Sequence, residues 1–207
     1  MVDALTADNT FATTVAARPG AVILARHGEP DLSRKVRLSA DEYRLWWGDY
    51  ETRGLRQGQR APDGLKDVAQ RAGFVIASTR PRSLETARAV CAGRSYAEDP
   101  LFIEAPLPPP RWPRWVRLSP RLWGFIARFW WWFFDHNEGE ESRAQAQQRA
   151  DQAARMLADM AQDGQDVLVV AHGFFNGMVG ESLKRLGWRC TEDQGFRYWR
   201  ARRFERP

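Results

Sequence analysis

Three short runs of apolar residues mark the predicted strands of this chain. They are AVILA at 21–25, FVIAS at 74–78 and DVLVVAH at 166–172. Each run is continuous rather than alternating, which is typical of parallel strands that are buried on both faces. The pattern therefore predicts a central sheet that is mostly parallel.

Longer segments with helical signals separate these strands. Ser39 and the acidic residues after it predict a helix over 39–55, and Ser119-Pro120 predicts the start of another that runs to Phe134. Further helices are predicted over 63–73, 83–91, 140–164 and 173–187. Because strands that alternate with helices form parallel βαβ units, we expect the α/β class, with three α/β/α layers around the sheet.

The length of 207 residues suits one domain with a sizeable core. Residues 1–20 begin with acidic positions where a secretion signal needs basic ones, and they contain no long apolar run. We therefore expect a loose N-terminal arm at 1–20, a cytoplasmic location and a single domain over 21–207. Within that domain, a cap insertion is expected at about 105–139.

Charge and cysteine content narrow the function only a little. The net charge of +5 suits acidic small molecules, nucleic acid or an anionic membrane, and does not choose between them. Cys91 and Cys190 stand alone, outside any metal-binding spacing, so we expect a reducing compartment and no metal site built on cysteine.

Charged and nucleophilic side chains follow each predicted strand. Arg26 and His27 follow the first, Arg80 and Arg82 the second, and His172 ends the third. Ligands of such sheets bind at the carboxyl ends of the strands, so these side chains should meet at one edge. Arginine is well shaped to grip phosphate oxygens, and neutral imidazole is a nucleophile. The strand ends thus predict an anion site with a nucleophile.

Three motifs at these strand ends resemble those of the histidine phosphatase superfamily, also called the phosphoglycerate mutase-like fold. They are RHGE at 26–29, STRPRSLETA at 78–87 and AHG at 171–173. The EES at 140–142, with Arg149 seven residues on, resembles the helix that precedes the third motif. The resemblance covers roughly 21–180, with the motifs in the family's order.

The resemblance implies a role for each matching residue. His27 would attack the phosphoryl group and become phosphohistidine, while Arg26, Arg82 and His172 would hold its oxygens. Glu104 would protonate the leaving oxygen and then activate water. The implied activity is a phosphomonoester hydrolase that uses no metal and no cofactor.

The chain also departs from the family's pattern. Ser33 occupies a position that is Asn in many members, and we assign it to the phosphate as well. Glu104 lacks the Gly-x-Trp-Glu-Gly pattern that follows the acid of the mutases, which favours a phosphatase. Glu98, Asp99 and Glu29 are rival acids. A mutase-type phosphotransferase and a non-catalytic phosphate-binding module remain as alternatives.

Other residues of the motifs are assigned to the substrate or to the loops. Glu29, Arg80 and Phe174 are candidate substrate contacts, while Ser78 is interpreted as the cap of the helix after it. Gly28 is expected to allow a sharp backbone turn beside the phosphate.

The family does not explain the segment at 111–137. It holds five arginines and six tryptophans, and its first acid is Asp135. Its apolar run of about thirteen residues is too short to span a bilayer, which needs about twenty. The first interpretation is a helix buried in the cap. A helix on an anionic membrane and a homodimer interface rank second, equally with each other. The substrate is expected to be a phosphorylated small molecule or a lipid phosphate, and no nucleic acid is expected.

Overall fold

The computed structural model describes residues 18–207, so almost all of the predicted arm at 1–20 lies outside the described residues. A six-stranded sheet runs through the described part, with the strand order β3-β2-β4-β1-β6-β5. The strands are β1 (Val22–Arg26), β2 (Phe74–Ala77), β3 (Ala97–Glu98), β4 (Val167–Ala171), β5 (Arg189–Asp193) and β6 (Ala201–Glu205).

The first four strands are parallel, and the last two form an antiparallel extension. β6 pairs antiparallel with β1, and β5 pairs antiparallel with β6. The expectation of a mostly parallel sheet is therefore confirmed. The sequence pattern did not predict β3, β5 or β6, because β3 is only two residues long and the other two mix charged and apolar positions.

Six helices connect the strands. They are α1 (Ala40–Thr52), α2 (Asp63–Arg71), α3 (Pro81–Cys91), α4 (Pro120–Phe134), α5 (Arg143–Met160) and α6 (Gly173–Arg185), with a short 3₁₀ turn at Pro100–Phe102. Their ends reflect local chemistry. Ser39 and Ser142 each close a capping box on the first turn, and Pro120 follows the N-cap Ser119 as predicted.

The structure corrects several predicted helix boundaries. The helix expected at 83–91 begins at Pro81, because proline suits the first helical position, and Arg80 is its N-cap. Ser78 therefore does not cap this helix. The helices expected to reach residues 55 and 164 end earlier, at Thr52 and Met160.

Side chains of the sheet alternate between two buried clusters, one on each face. Val22, Leu24 and Val169 pack with α5 and α6, whereas Ile23 and Val170 pack with α2 and α3. Helices thus cover both faces of the sheet, which confirms the three-layer α/β/α arrangement. α5 packs closely against α6 because alanines form its inner face.

A third buried cluster joins α1 to α4 beside the sheet. The rings of Tyr43 and Trp123 lie 6.1 Å apart, and the indole of Trp123 donates to the carbonyl of Leu38 at 2.6 Å. α4 is buried, as expected of a cap, only on the face that carries Trp123. Phe125 and Phe133, on the opposite face of the helix, are exposed. None of the helices within residues 18–207 has the length and apolar character needed to cross a membrane.

Candidate active site

The parallel strands bring the predicted residues of three motifs to one edge of the sheet. Arg26 at the end of β1 is in register with Ala171 at the end of β4, and Ala77 of β2 is in register with Val170. His27 and His172 follow directly, and the centroids of their rings lie 5.2 Å apart. The two histidines are thus neighbours because of the sheet register.

The hydrogen bonds of His27 define its tautomer. Its Nδ1 lies 2.6 Å from the carbonyl oxygen of Gly28, which can only accept a hydrogen bond. Its Nε2 lies 3.3 Å from Nε of Arg82, which can only donate. The proton is therefore on Nδ1, and Nε2 carries the lone pair that accepts from the arginine.

The same reasoning applies to His172. Nη2 of Arg82 donates to its Nδ1 at 3.2 Å, so the proton of the neutral ring lies on Nε2. That Nε2–H donates to the hydroxyl of Ser78 at 2.9 Å. Ser78 therefore orients His172, in place of the helix-capping role predicted for it.

Arg82 lies between the two histidines and is completely buried. Besides the two rings, its guanidinium donates to the carbonyl of Tyr50 at 2.8 Å and to the carboxylate of Glu51 at 2.8 Å. It also stacks on the ring of Tyr50, 4.3 Å from the ring centroid. A buried arginine is tolerated only when its donors have partners, and here each nitrogen has at least one.

Burial and positive charge keep both histidines neutral. Burial, followed by the charges of Arg82 and Arg26, holds the pKa of His27 well below its usual range. Burial and Arg82 also hold the pKa of His172 well below its usual range. Loss of hydration disfavours the charged ring, and a neighbouring cation repels the added proton. Both rings therefore present lone pairs rather than protons to the space around Arg82.

Aromatic and basic side chains cover His27, which is only 1% exposed. The ring of Tyr198, from the loop between β5 and β6, lies 5.6 Å from the imidazole. The guanidinium groups of Arg26 and Arg34 lie 4.3 Å and 5.3 Å from the centre of that tyrosine ring. Burial raises the pKa of Tyr198 to about 12, so the phenol is neutral. The cover thus adds two cations close to the imidazole.

Glu104 lies at the N-terminus of α6. One carboxylate oxygen accepts from the backbone amide of Phe175 at 2.9 Å, and the other accepts from that of Phe174 at 3.4 Å. The first amides of a helix have no partner within the helix, so a carboxylate is well placed there. Glu104 also lines a cavity of about 830 Å³ that lies beside the site.

The rival acids lie elsewhere. Glu29 pairs with Arg56 at 3.1 Å, and Asp99 accepts from the amide of Leu101 at 2.8 Å. Glu98 is exposed in the short strand β3. Glu104 is therefore the one of these four acids that faces the cavity.

The structure does not bring Ser33 to the predicted phosphate position, and it places Glu29 and Arg80, two candidate substrate contacts, against other residues. Ser33 is exposed, and with Glu29 it lines a second, smaller pocket. Arg80 contacts Glu51, with its Nε 2.6 Å from a carboxylate oxygen. Arg34, the residue after Ser33, takes the position near the site that was expected for Ser33. The chain at 31–36 exposes Ser33 and partly buries Arg34.

A cavity of about 830 Å³ opens beside these groups. Phe174 lines it, as expected of a substrate contact, and packs at 5.7 Å from the ring of Trp131 in α4. Other lining residues are arginines and aromatics from β1, the loop after it, α1, α4 and the β5–β6 loop, among them Arg26, Arg34, Trp46, Trp47, Arg128, Trp132 and Phe196. The cavity is far larger than a phosphate ion, so it has room for the rest of a substrate.

Sequence reasoning missed four residues of this site, namely Arg34, Tyr50, Glu51 and Tyr198. Glu51 lies in α1 and Tyr198 in an unpredicted hairpin, so neither belongs to a strand-end motif. At Gly28, which was predicted to allow a sharp turn, the structure shows a need for a small residue. A Cβ there would lie 2.3 Å from the ring of Trp199, so glycine is needed for this close approach.

Metal ligands are not grouped in the part of the chain that the structure describes. Within residues 18–207, no three side chains of His, Cys, Asp or Glu lie together as a metal site would need.

Comparison with protein families gives one match. The family described as "Histidine phosphatase superfamily (branch 1)" matches residues 22–192, which is most of the chain. No curated protein is similar enough to the chain to count as a match.

Several solved structures share the fold. "Mycobacterial hydrolase 1" is 19% identical, with 82% of this chain and 80% of that one covered and a TM-score of 0.54. YhfR of Bacillus stearothermophilus is 22% identical, with 80% of each chain covered and a TM-score of 0.52. A phosphoserine phosphatase mutant of Entamoeba histolytica, solved with phosphoserine, is 16% identical, with 80% of each covered and a TM-score of 0.51. At these identities the likeness establishes the fold.

The lowered pKa values predict how stability depends on pH. Unfolded histidines titrate near pH 6.5, whereas His27 and His172 stay neutral below that pH in the folded chain. Below pH 6.5 the unfolded chain binds more protons, so each histidine should lower the free energy of unfolding by about 1.4 kcal/mol in total between pH 7.5 and 5.5. Urea unfolding at several pH values in this range measures the pH dependence.

The variant His172→Gln should have the shallower slope, by the contribution of one histidine. His136→Gln is the matched control, because His136 lies in the loop after α4 and outside this site. Equal slopes for wild type and His172→Gln would contradict the neutral state assigned to His172.

Proposed function

The chain belongs to the histidine phosphatase superfamily, and we propose that it hydrolyses phosphomonoesters through a phosphohistidine intermediate on His27. The observation that carries this proposal is the tautomer of His27. Its proton is on Nδ1, held by the carbonyl of Gly28, and its Nε2 lone pair faces the guanidinium of Arg82. A neutral imidazole with a free nitrogen beside a cation is the arrangement that attack on phosphorus needs.

In the first step, Nε2 of His27 forms a bond to phosphorus while the bond from phosphorus to the ester oxygen breaks. Glu104 is proposed as the group that delivers a proton to that oxygen, so the product leaves as an alcohol. The carbonyl of Gly28, 2.6 Å from Nδ1, stabilises the positive charge that the ring acquires.

In the second step, water attacks the phosphorus of phosphohistidine. The Glu104 carboxylate takes a proton from that water, the bond from nitrogen to phosphorus breaks, and inorganic phosphate leaves. His27 regains its neutral form and Glu104 its proton, so the cycle closes without any other reactant.

Arg26, Arg82 and His172 would hold the phosphoryl oxygens. The phosphate would replace the contacts that Arg82 makes to the two imidazoles, which lie at 3.3 Å and 3.2 Å. A bound dianion would also favour protonation of His172, which then donates to phosphate through Nδ1. Entry of the substrate requires the Tyr198 ring to move, because that ring covers His27.

This chemistry is proposed to need no metal ion. Arg82 is buried beside His27, and Arg26 and Arg34 contact the Tyr198 ring that covers it, so three positive charges act on the position proposed for the transferring phosphoryl group. The phosphoserine phosphatase that shares the fold supports a phosphatase activity, and its low identity leaves the substrate of this chain to experiment.

The first prediction concerns the nucleophile. Purified protein should release phosphate from some member of a panel of sugar phosphates, nucleotides, phosphopeptides and lipid phosphates, in the presence of a chelator. His27→Ala should lower that rate by at least about a thousandfold, because the covalent route is lost. His136→Ala is the matched control. Unchanged turnover in a folded His27→Ala variant would refute the proposal.

The second prediction concerns the proton donor. Glu104→Gln keeps an oxygen that can accept from the amide of Phe175 but cannot donate the proton. It should slow alkyl phosphates by about 10²–10⁴-fold and p-nitrophenyl phosphate far less, because nitrophenolate leaves without protonation. Glu98→Gln, at an exposed position of β3, should behave as wild type. An equal loss on both esters would assign the proton to another group.

A further inference from the structure

α4 is apolar on both of its faces, although only one of them is packed. Trp123, Ala127 and Trp131 face the interior and are completely buried. On the opposite side lie Leu122, Phe125, Phe129 and Phe133, which we call the outer face. With 3.6 residues per turn, these four lie within an arc of about 80°. The helix therefore presents a continuous apolar stripe to solvent.

The outer face is exposed to an unusual degree. Leu122, Phe125, Phe129 and Phe133 are 41–66% exposed, and the neighbouring Phe134 is 65% exposed. At 150–250 Å² for each aromatic side chain, the exposed apolar area is roughly 600 Å². That equals the upper end of what monomers expose, and patches of this size usually contact a partner or a membrane.

The segment that leads into α4 is basic. No acid occurs between residues 105 and 134, whereas Arg111, Arg114, Arg117 and Arg121 are all exposed there. Arg111 and Arg117 pair with Glu138 and Glu42. Arg114 and Arg121 have no carboxylate partner among residues 18–207. The apolar stripe is thus bordered by free positive charge.

We propose that the outer face of α4 docks on the surface of an anionic lipid bilayer. Basic residues attract the anionic headgroups, while phenylalanines enter the boundary between headgroups and acyl chains. Trp115, which is 81% exposed in the segment before α4, is a residue type that anchors at this boundary. The 15 residues of α4 are too few to cross the bilayer, so the contact is peripheral.

A second copy of this chain fits the outer face less well. In a symmetric dimer the same surface meets itself, so the arginines of one copy would face those of the other. Across 105–135 the exposed Asp135 is the one acid available to pair with five arginines.

Docking would also bring the large cavity to the lipid surface. Arg121, Arg128 and Trp132 line that cavity from the strip of α4 next to the outer face. This consequence rests on the proposed function, since it would give the site access to phosphomonoesters with an apolar group in the bilayer. The docking itself does not depend on catalysis.

Co-sedimentation with vesicles tests the docking directly. Wild-type protein should pellet with vesicles of phosphatidylcholine mixed with phosphatidylglycerol, and less with phosphatidylcholine alone. Phe125→Gln/Phe133→Gln should bind at least about tenfold more weakly, because two inserted rings are lost. Neither residue lines the cavity, so this variant should keep any activity on a water-soluble phosphomonoester.

Phe74→Gln/Leu186→Gln is the matched control and should bind as wild type. Both residues are exposed, but they lie at the start of β2 and the end of α6, away from the carboxyl edge of the sheet. Absence of vesicle binding, or equal binding by the α4 variant, would overturn the proposal. Dimerisation that the α4 variant abolishes, without vesicle binding, would show instead that a second copy occupies this face. None of these results depends on whether His27 is catalytic.

Discussion

The site is organised around the buried guanidinium of Arg82. A positive charge removed from water is very unfavourable unless its donors are all bonded, and breaking one such contact costs several kcal/mol. Arg82 obtains its partners from β1 through His27, from β4 through His172 and from α1 through Tyr50 and Glu51. Because Arg82 itself lies in α3, one side chain holds four elements that are distant in sequence in a single arrangement.

This arrangement has an electrostatic consequence. The carboxylate of Glu51, at 2.8 Å, balances the charge of Arg82, while the two imidazoles stay neutral beside it. Each neutral ring accepts a hydrogen bond from Arg82 through a lone pair. In the proposed complex, the phosphate oxygens would accept from the same Arg82 nitrogens. Under the proposed mechanism, the guanidinium of Arg82 is already held in place by its contacts to α1 before charge develops on the phosphoryl oxygens.

The sequence predicted the parts of the fold and site that depend on local pattern. Continuous apolar runs identified β1, β2 and β4, and the residues directly after them gave His27, Arg82 and His172. Ser33 and Arg80 were placed by motif position alone, whereas the chain path at 31–36 and the charge of Glu51 decide where those side chains lie. Glu51 and Tyr198 could not be predicted, because their contacts depend on how α1 and the β5–β6 hairpin pack. The two faces of α4 likewise differ only through tertiary packing.

The central claim is that Nε2 of His27 carries the phosphoryl group during turnover. Rapid quenching of the protein with a phosphomonoester, at alkaline pH where phosphohistidine survives, followed by peptide mass spectrometry, tests it most directly. The account predicts a single added phosphoryl group on the peptide that contains His27, and none in the Arg82→Gln variant, whose buried cation is lost. A phosphoryl group on another residue, or turnover with none on His27, would contradict it.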